Sequence, residues 1–563
     1  MNRNEILASL KQNPEVSVLI VGAGINGIGT FRDLALSDVD VLLIDRGDFC
    51  SGASAASSHM AHGGIRYLEN GEFRLVREAV QERNRMLQNA PHIVKPLPTT
   101  IPIFKYLSGL LNAPLKFLGW LDKPSERGSL VIKIGLMLYD AYTGGTRAVP
   151  RHQFLSRSAS LQKWRQLNPA IVNTATYYDG AILSPERLAL DLILDAENDN
   201  PNAHALNYVS MVSGSENTVI LRDELTDEAY DMHPRLLINA AGPWIDFANR
   251  KFGLSSRFIG GTKGSHLVLK HDGLRAAIGE NEFFFENKDG RIVLIFPLYD
   301  RVLIGTSDIP IENPDEASCT DEEIDYFLEM TARVFPSLRV GREHVVFQFS
   351  GVRPLAYSHA KTTGQITRDH VIEVSGGDWT GLTFPIYSLV GGKWTSFRAF
   401  SEEVTDKALA QLGLPRQRQT RDLPIGGGRG YPHDEADVKR VVESLAAWTG
   451  VSPARVHSLF ERYGMRAEAI AAFINREMDE PLKFLPNYSR RELAFLAQHE
   501  KIIHLDDLVL RRSMLAMLGY LTRDILDELS DALGAAVGWT EEQKKAEVTR
   551  TLSILAGRHG VRF

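Results

Sequence analysis

The chain has 563 residues, too many for a single hydrophobic core, so several domains are expected. Its 44% apolar and 24% charged composition is that of an ordinary globular protein, and the mildly negative formal charge of −7 leaves no basic field, which argues against a nucleic-acid partner. The two cysteines, Cys50 and Cys319, make neither a disulfide framework nor a metal cluster, so a reducing cytoplasm and no metal site are expected.

Met1 to Glu15 is polar and lacks the apolar region of a secretory signal, and no window approaches twenty uninterrupted apolar residues, so any membrane contact is expected to be peripheral. Val16 to Gly29, VSVLIVGAGINGIG, begins as apolar β-formers, turns at Gly22 and continues with helical spacing through Ile28, Phe31, Leu34 and Ala35. Gly22, Gly24 and Gly27 make G-x-G-x-x-G, and Asp45 closes the next apolar run, VDVLLID. Strand, glycine turn, helix and distal acid together form the dinucleotide fingerprint. Gly22 permits the tight turn, Gly24 lets the backbone approach a pyrophosphate, and Gly27 lets the helix close on the strand, whose positive N-terminus then faces the phosphates. Asp45 would accept hydrogen bonds from a ribose.

The small polar run SGASAASSHMAHGGIRYLENGEF reads as a loop close to a ligand, offering hydroxyls at Ser57 and Ser58 and the group His62, Arg66 and Tyr67 around Gly63–Gly64. A helix follows from Phe73 and stops before Pro91. Residues 93 to 149 carry scattered prolines, and IPIFKYLSGLLNAPLKFLGWLDK mixes apolar residues with Lys105, Lys116 and Lys123. It reads as a buried cap segment or as short amphipathic pieces at a membrane surface, interrupted by Pro102 and Pro114. Ser184-Pro185-Glu186 opens a helix. Short strands follow, then RLLINAAGPWIDFANR, a second strand-turn-helix that would return to the first sheet and make the first domain discontinuous.

Residues 257 to 349 read as an antiparallel sheet, with turns at Lys288-Asp289-Gly290 and Tyr299-Asp300-Arg301 and a helix from about Asp321 to Phe335. Gly391-Gly392-Lys393 lies between the apolar strand Ile386 to Val390 and a helix starting near Thr395, a third glycine-rich strand-to-helix turn. PRQRQTRDLPIGGGRGYP reads as a linker, and an all-helical module follows. Its starts are Ser452-Pro453 and the capping boxes Ser489…Glu492 and Thr540…Gln543, and its stops Gly450, Gly464, Gly519 and Gly557. His499, His504, Asp506 and Asp507 in this module are expected to serve as surface or capping residues rather than metal ligands.

The expected fold class is therefore α/β plus α+β. A discontinuous Rossmann-like domain would comprise 16–92, 171–256 and 350–414, a β-sheet substrate domain 93–170 and 257–349, a linker 415–432 and a helical C-terminal domain 433–563. A nicotinamide site usually needs only the first βαβ unit, whereas three glycine turns against one sheet suggest a larger, fixed cofactor, FAD. The third turn would put a helix N-terminus and Lys393 near the flavin edge where charge accumulates on reduction. The residues expected to hold it are Gly22, Gly24, Ile25, Asn26, Gly27, Asp45, Arg46, Ser57, Ser58, Ala241, Gly242, Gly392, Lys393, Trp394 and Thr395. Arg66, Arg353 and Arg368 are separated in sequence but fall in short strands or loops near this turn, which points to an anionic substrate.

The segments VGAGINGIG, SSHMAHGGIRYLENGEFRLVREA, INAAGPW, TKGSHLVL, IGTSD, SGVRPL, QITRDH, VGGKWTSF and AQHEKIIHLDDLVLRRS resemble the FAD-dependent, respiratory-chain-linked glycerol-3-phosphate dehydrogenases from about Val16 to Arg512. The resemblance implies a glutathione-reductase-like FAD domain, oxidation of sn-glycerol 3-phosphate to dihydroxyacetone phosphate, and electron transfer to a membrane quinone. It also implies peripheral attachment to the inner face of the cytoplasmic membrane and a homodimer. Carried over by motif, Arg353 would clamp the phosphate with Arg66 and Tyr67 as helpers, His62 and Lys393 would lie by the reacting hydroxyl, and Arg368 would line the site. His62 is the favoured base. The chain departs from the family pattern at His59, where Lys is usual, and at Trp394-Thr395-Ser396 after the Gly-Gly-Lys turn. These departures keep two alternatives open, another polyol phosphate such as a tetritol phosphate, and an oxidase delivering electrons to oxygen.

Overall fold

The computed structural model describes residues 2–65, 72–106, 129–142, 149–286, 292–358, 369–377 and 381–563. Among these residues two large sheets carry the architecture. The first has the order Val371–Gly377, Leu382–Val390, Ala229–Asn239, Glu15–Val21, Val41–Ile44, Ala203–Leu206. From Leu382–Val390 to Ala203–Leu206 every pairing along this order is parallel; the Val371–Gly377 edge is antiparallel, and so is the hairpin Val209–Ser215/Thr218–Asp223 that joins the sheet at Ala229–Asn239. The apolar runs of these strands suit a sheet covered on both faces. On one face the helices Ile25–Ala35, Pro185–Asp199 and Phe397–Leu412 pack side by side through residues such as Phe31, Leu188 and Phe400. On the other, the N-terminal helix Arg3–Gln12, closed by an Asn2–Glu5 capping box, buries Ile6, Leu7 and Leu10. The second strand-turn-helix thus does return to the first sheet: Val18 to Val21 pair in parallel with Leu236 to Asn239.

The second sheet runs Ile309–Pro310, Thr262–Leu269, Arg301–Gly305, Ile292–Leu298, Glu282–Glu286, Val94–Ile103, Asn173–Ile182, Met60–Ala61. Val345–Arg353 also pairs with Thr262–Leu269, and Gln153–Ser156 with Asn173–Ile182. The helix Asp321–Val334, opened by a Thr320–Glu323 capping box, packs on this sheet.

Three features differ from the division expected from sequence. Val94–Ile103 is a strand paired over its whole length with Asn173–Ile182, so both segments belong to the second sheet, as does the end of Val345–Arg353. Prolines 96, 98 and 102 masked this strand; they are all even-numbered, so the missing donors fall along one edge and the alternate residues keep theirs. The segment 93–170 also holds an amphipathic helix, Ser129–Tyr142, that buries Ile132, Leu136 and Tyr139 against Val76, Val80 and Tyr177. The Tyr106–Lys123 stretch falls outside the described residues beyond Tyr106.

The third difference is residues 415–432, which are packed rather than a free linker. Gly426 to Gly428 form a 3₁₀ turn against His92 and Tyr463, and the Gly426 amide donates to Asp195 at 2.9 Å. The C-terminal helices follow the expected starts, with a Thr540–Gln543 capping box. At Ser489 only half of the expected box forms: its hydroxyl accepts from the Glu492 amide, while the Glu492 carboxylate turns to Arg455, Arg462 and Tyr463. The last helix, Glu541–His559, runs through Gly557 and stops at Gly560, and Gly519 lies in a turn. His504 and Asp507 act as caps at the Leu505–Asp507 turn, Asp506 pairs with Arg511 and Arg550, and the His499 ring contacts the Phe495 carbonyl at 2.9 Å.

The helical module is joined to the first sheet by buried ion pairs. Asp48 receives both Arg511 and Arg512, and these guanidinium groups hold its carboxyl well below the usual carboxylate range despite burial. Arg187 meets Glu500 in a two-pronged contact at 2.5 and 2.7 Å.

Candidate active site

The first turn is built as its glycines require. Gly22 has φ of 106°, and a Cβ there would lie 2.6 Å from the Ala240 carbonyl oxygen. Ala240 and Ala241 of the second strand-turn-helix therefore press directly on the first. Gly24 is the N-cap of the Ile25–Ala35 helix and has no side chain to close its amides, so the helix N-terminus is open to an anion. The Ile25 amide donates to the Ser54 hydroxyl at 2.9 Å. At the end of the second strand, Asp45 accepts from the Ala23 and Gly47 amides at 2.7 and 2.9 Å. Burial raises its pKa to about 6, with those two amides opposing the rise. Asp45 is therefore mainly ionised at neutral pH, as a ribose acceptor must be.

The third turn meets the first. Asn26 Nδ2 donates to the Gly391 carbonyl at 3.1 Å, and a Cβ on Gly392, which has φ of 92°, would fall 2.4 Å from that same nitrogen. Trp394 Nε1 donates to the Ser54 carbonyl at 3.0 Å, and the Thr395 hydroxyl accepts from the His62 amide at 3.1 Å. Lys393 is half-buried at this turn, in electrostatic range of Glu78 and His370.

The polar loop 54–62 is consequently the bridge between the sheets. Its first residue, Ser54, is held by Trp394 and its last, His62, by Thr395. Its middle lies on the second sheet, where a Cβ on Gly351 would meet Ala56 at 2.4 Å, and Ser58 Oγ lies 2.8 Å from His266 Nε2. The His266 ring stacks on Phe349, with 4.8 Å between centroids; burial, then Arg353 and His59, hold its pKa well below the ordinary value, so it is neutral. Ser57 accepts from the His59 amide at 3.3 Å.

Arg353 lies next to this histidine. It donates to Thr306 Oγ1 at 2.7 Å and the Ser307 carbonyl at 3.0 Å, and pairs with Asp308 at 3.2 Å. Its guanidinium sits over Gly264, where a Cβ would lie 2.3 Å from Nη2. Ser307 is itself held by Glu323, which Lys263 pairs with at 2.8 Å.

The structure thus brings together Gly22, Gly24, Ile25, Asn26, Gly27, Asp45, Ala241, Gly242, Gly392, Lys393, Trp394 and Thr395 around two helix N-termini, and links them through Ser57, Ser58 and His62 to Arg353. Arg46, directly after Asp45, is ion-paired with Asp315 at 2.6 Å. Arg66, Tyr67 and Arg368 lie outside the described residues. Sequence reasoning missed Ser54, His266, Thr306, Ser307 and Asp308. Ser54 lies in the polar run already read as a loop near a ligand; the segments of the other four, TKGSH and IGTSD, read as plain sheet until antiparallel pairing set His266 opposite Gly305 and Thr262 opposite Arg353. His59 is fully buried, with Nδ1 3.1 Å from the Ile182 carbonyl and a pKa lowered by burial to about 4, so this departure from the family pattern faces the sheet core.

Two helix N-termini whose N-cap residues, Gly24 and Ser396, make no side-chain cap, an acid at the second strand end and a cradle closed to any Cβ fit an extended dinucleotide such as FAD. Residues 17–396 match the FAD dependent oxidoreductase family, and residues 418–544 match the C-terminal domain of alpha-glycerophosphate oxidase. A glycerol-3-phosphate dehydrogenase of Synechocystis is 33% identical, covering 96% of each chain. That of Pseudomonas aeruginosa is 30% identical over 89% of this chain and 92% of its own. The D-erythritol 1-phosphate dehydrogenase of Brucella abortus is 29% identical over 88% and 93%. The fold matches the solved glycerol-3-phosphate dehydrogenase of Bacillus halodurans complexed with FAD, with a TM-score of 0.74 at 22% identity, covering 98% and 97%. The chain therefore belongs to the FAD-dependent oxidoreductases, in the family of the glycerol-3-phosphate dehydrogenases.

Proposed function

We propose that the protein oxidises sn-glycerol 3-phosphate to dihydroxyacetone phosphate and passes the electrons to a membrane quinone. The observation that carries this reading is the loop 54–62, which ties His62 to the Lys393–Thr395 turn and, through Ser58 and His266, to Arg353. The His62 backbone is thereby tied to the turn that carries Lys393, and the Arg353 guanidinium lies at the far end of the same chain of contacts, which supports a base and an anion clamp at one site. Arg353 clamps the substrate phosphate, with Arg66, Tyr67 and Arg368 as further contacts. His62 takes the proton of the C2 hydroxyl as the C2 hydride leaves. Bound FAD supplies the hydride acceptor at N5. Lys393 and the amides of its helix turn favour the negative charge that reduction brings to the far edge of the site.

Quinone use requires contact with lipid. Among the described residues no helix is long and apolar enough to cross a membrane. The Ser129–Tyr142 helix leaves Leu130, Ile134, Met137 and Leu138 exposed on its outer side, which supports peripheral docking at the inner face of the cytoplasmic membrane. A homodimer is part of the same reading.

The test is anaerobic addition of glycerol 3-phosphate to the yellow protein. Bleaching of the flavin spectrum is expected, followed by reoxidation by a soluble quinone faster than by air. A flavin that stays oxidised with glycerol 3-phosphate but bleaches with D-erythritol 1-phosphate overturns the substrate in favour of a second polyol phosphate reading, which the Brucella relative supports. Stoichiometric peroxide with no response to quinone overturns the acceptor, an outcome that the match of the C-terminal domain to an oxidase makes worth the assay.

A further inference from the structure

A group of side chains beside the dinucleotide turn is not used by the chemistry above. Arg46 follows Asp45 directly, and its guanidinium lies 4.8 Å from the centre of the Trp244 ring. Arg46 Nη2 donates to Asp315 Oδ1 at 2.6 Å, and Trp244 Nε1 donates to the same oxygen at 3.0 Å. Trp244 itself ends the Gly242–Trp244 turn, whose preceding residues press on Gly22, and its ring edge meets Gly52. Asp315 comes from the other sheet: it sits in the Pro314–Glu316 turn, with its amide donating to Asn313 Oδ1 at 3.1 Å. The Ile311 amide anchors the start of this loop to the Gly261 carbonyl at 3.2 Å.

A cation, an indole and a carboxylate from three separate chain segments therefore meet at one point next to Asp45. The Arg46 and Asp315 side chains are 56% and 50% exposed, so their pair contributes little to folding. Residues held in so defined an arrangement at the outer end of a dinucleotide site are placed to close it.

We propose that Arg46, Trp244 and Asp315 form a clasp by which the substrate-side sheet retains the adenosine end of FAD, so that the loop carrying Asp315 slows cofactor release. The proposal rests on the reading that puts the adenosine ribose at Asp45. Arg46 and Trp244 wall the opening, and Asp315 holds both in place as a positioning residue. The clasp joins cofactor retention to the domain that binds substrate without entering the redox chemistry.

The experiment uses the purified holoenzyme diluted into buffer, with FAD release followed by the rise of flavin fluorescence. Arg46→Ala, which removes both contacts, is expected to speed release about five- to tenfold, and Asp315→Ala and Trp244→Ala, which remove one each, about two- to fivefold. Because Arg46 and Asp315 act as one unit, the double variant should release FAD no faster than the faster single one. Wild-type release should quicken from low to high salt, while release from Asp315→Ala should not. The thermal midpoint of the apoprotein should stay at the wild-type value in all three variants, which separates the clasp from a folding role. Asp45→Asn, measured alongside, tests the ribose placement by itself. Wild-type release rates in Asp315→Ala and Trp244→Ala, or full additivity in the double variant, overturn the clasp.

Discussion

Gly264→Ala tests the anion clamp without deleting any of its charges. A Cβ on Gly264 would stand 2.3 Å from Arg353 Nη2 and 2.7 Å from Cζ and Nη1. Ordinary contact begins near 3.4 Å, so the guanidinium must retreat by 3.4 − 2.3 = 1.1 Å. Arg353 is the far end of a flexible side chain, so the displacement costs little in stability, but the guanidinium is fixed by Thr306, Ser307 and Asp308 and has to leave that geometry to move. Misplacement of a binding group by about 1 Å costs on the order of 100-fold, or roughly 2.7 kcal/mol of transition-state stabilisation. We expect kcat/KM for glycerol 3-phosphate with a dye acceptor to fall on that scale, mostly through KM, with the flavin content and thermal midpoint kept. Arg353→Lys should fall at least as far, because a point charge cannot replace a two-pronged donor. A kcat/KM within about threefold of wild type, with a normal flavin spectrum, would refute the assignment of Arg353 as the phosphate clamp.

Replacing His62 with Asn should slow anaerobic flavin reduction by bound substrate by roughly 100- to 10,000-fold while leaving FAD affinity unchanged, as read by stopped-flow absorbance; unchanged reduction would remove His62 as the base. FAD affinity should depend on the Asp45 carboxylate, whose pKa burial raises to about 6. The ionised form is the acceptor, so affinity should hold above about pH 7 and weaken about tenfold per unit below 6. In Asp45→Asn the titrated dissociation constant should be weaker and flat over that range. Asp48→Asn should lower stability by about 3–5 kcal/mol, since it leaves Arg512 buried against a neutral group while Arg511 keeps Asp506 and Asp507. The shift is read as a fall in the denaturation midpoint, and a midpoint equal to wild type would show that the helical module does not depend on this contact.

The sequence alone determined the elements whose physics is local. The strand, Gly22-x-Gly24 turn and helix, the Thr540 capping box, and the Asp321–Val334 helix follow from backbone sterics and periodicity within a few turns of chain. Glycine spacing also located the helix N-termini after Gly24 and after the Gly391-Gly392 turn, because a tight strand-to-helix turn leaves few residue choices. What only the tertiary structure decided are contacts whose partners are far apart in sequence. Val94–Ile103 looked like a proline-broken segment and became a strand because Asn173–Ile182 supplies its pairing. The expected linker became a packed layer because Gly426–Gly428 fit against His92 and Tyr463 with no side chains in the way. His266, Thr306 and Ser307 were ordinary sheet residues until antiparallel register set them around Arg353, which pairing alone can fix. Local propensity carries no information about register between distant strands, so the glycine turns and the arginines were legible from the chain, while the partners that surround Arg353 waited for the fold.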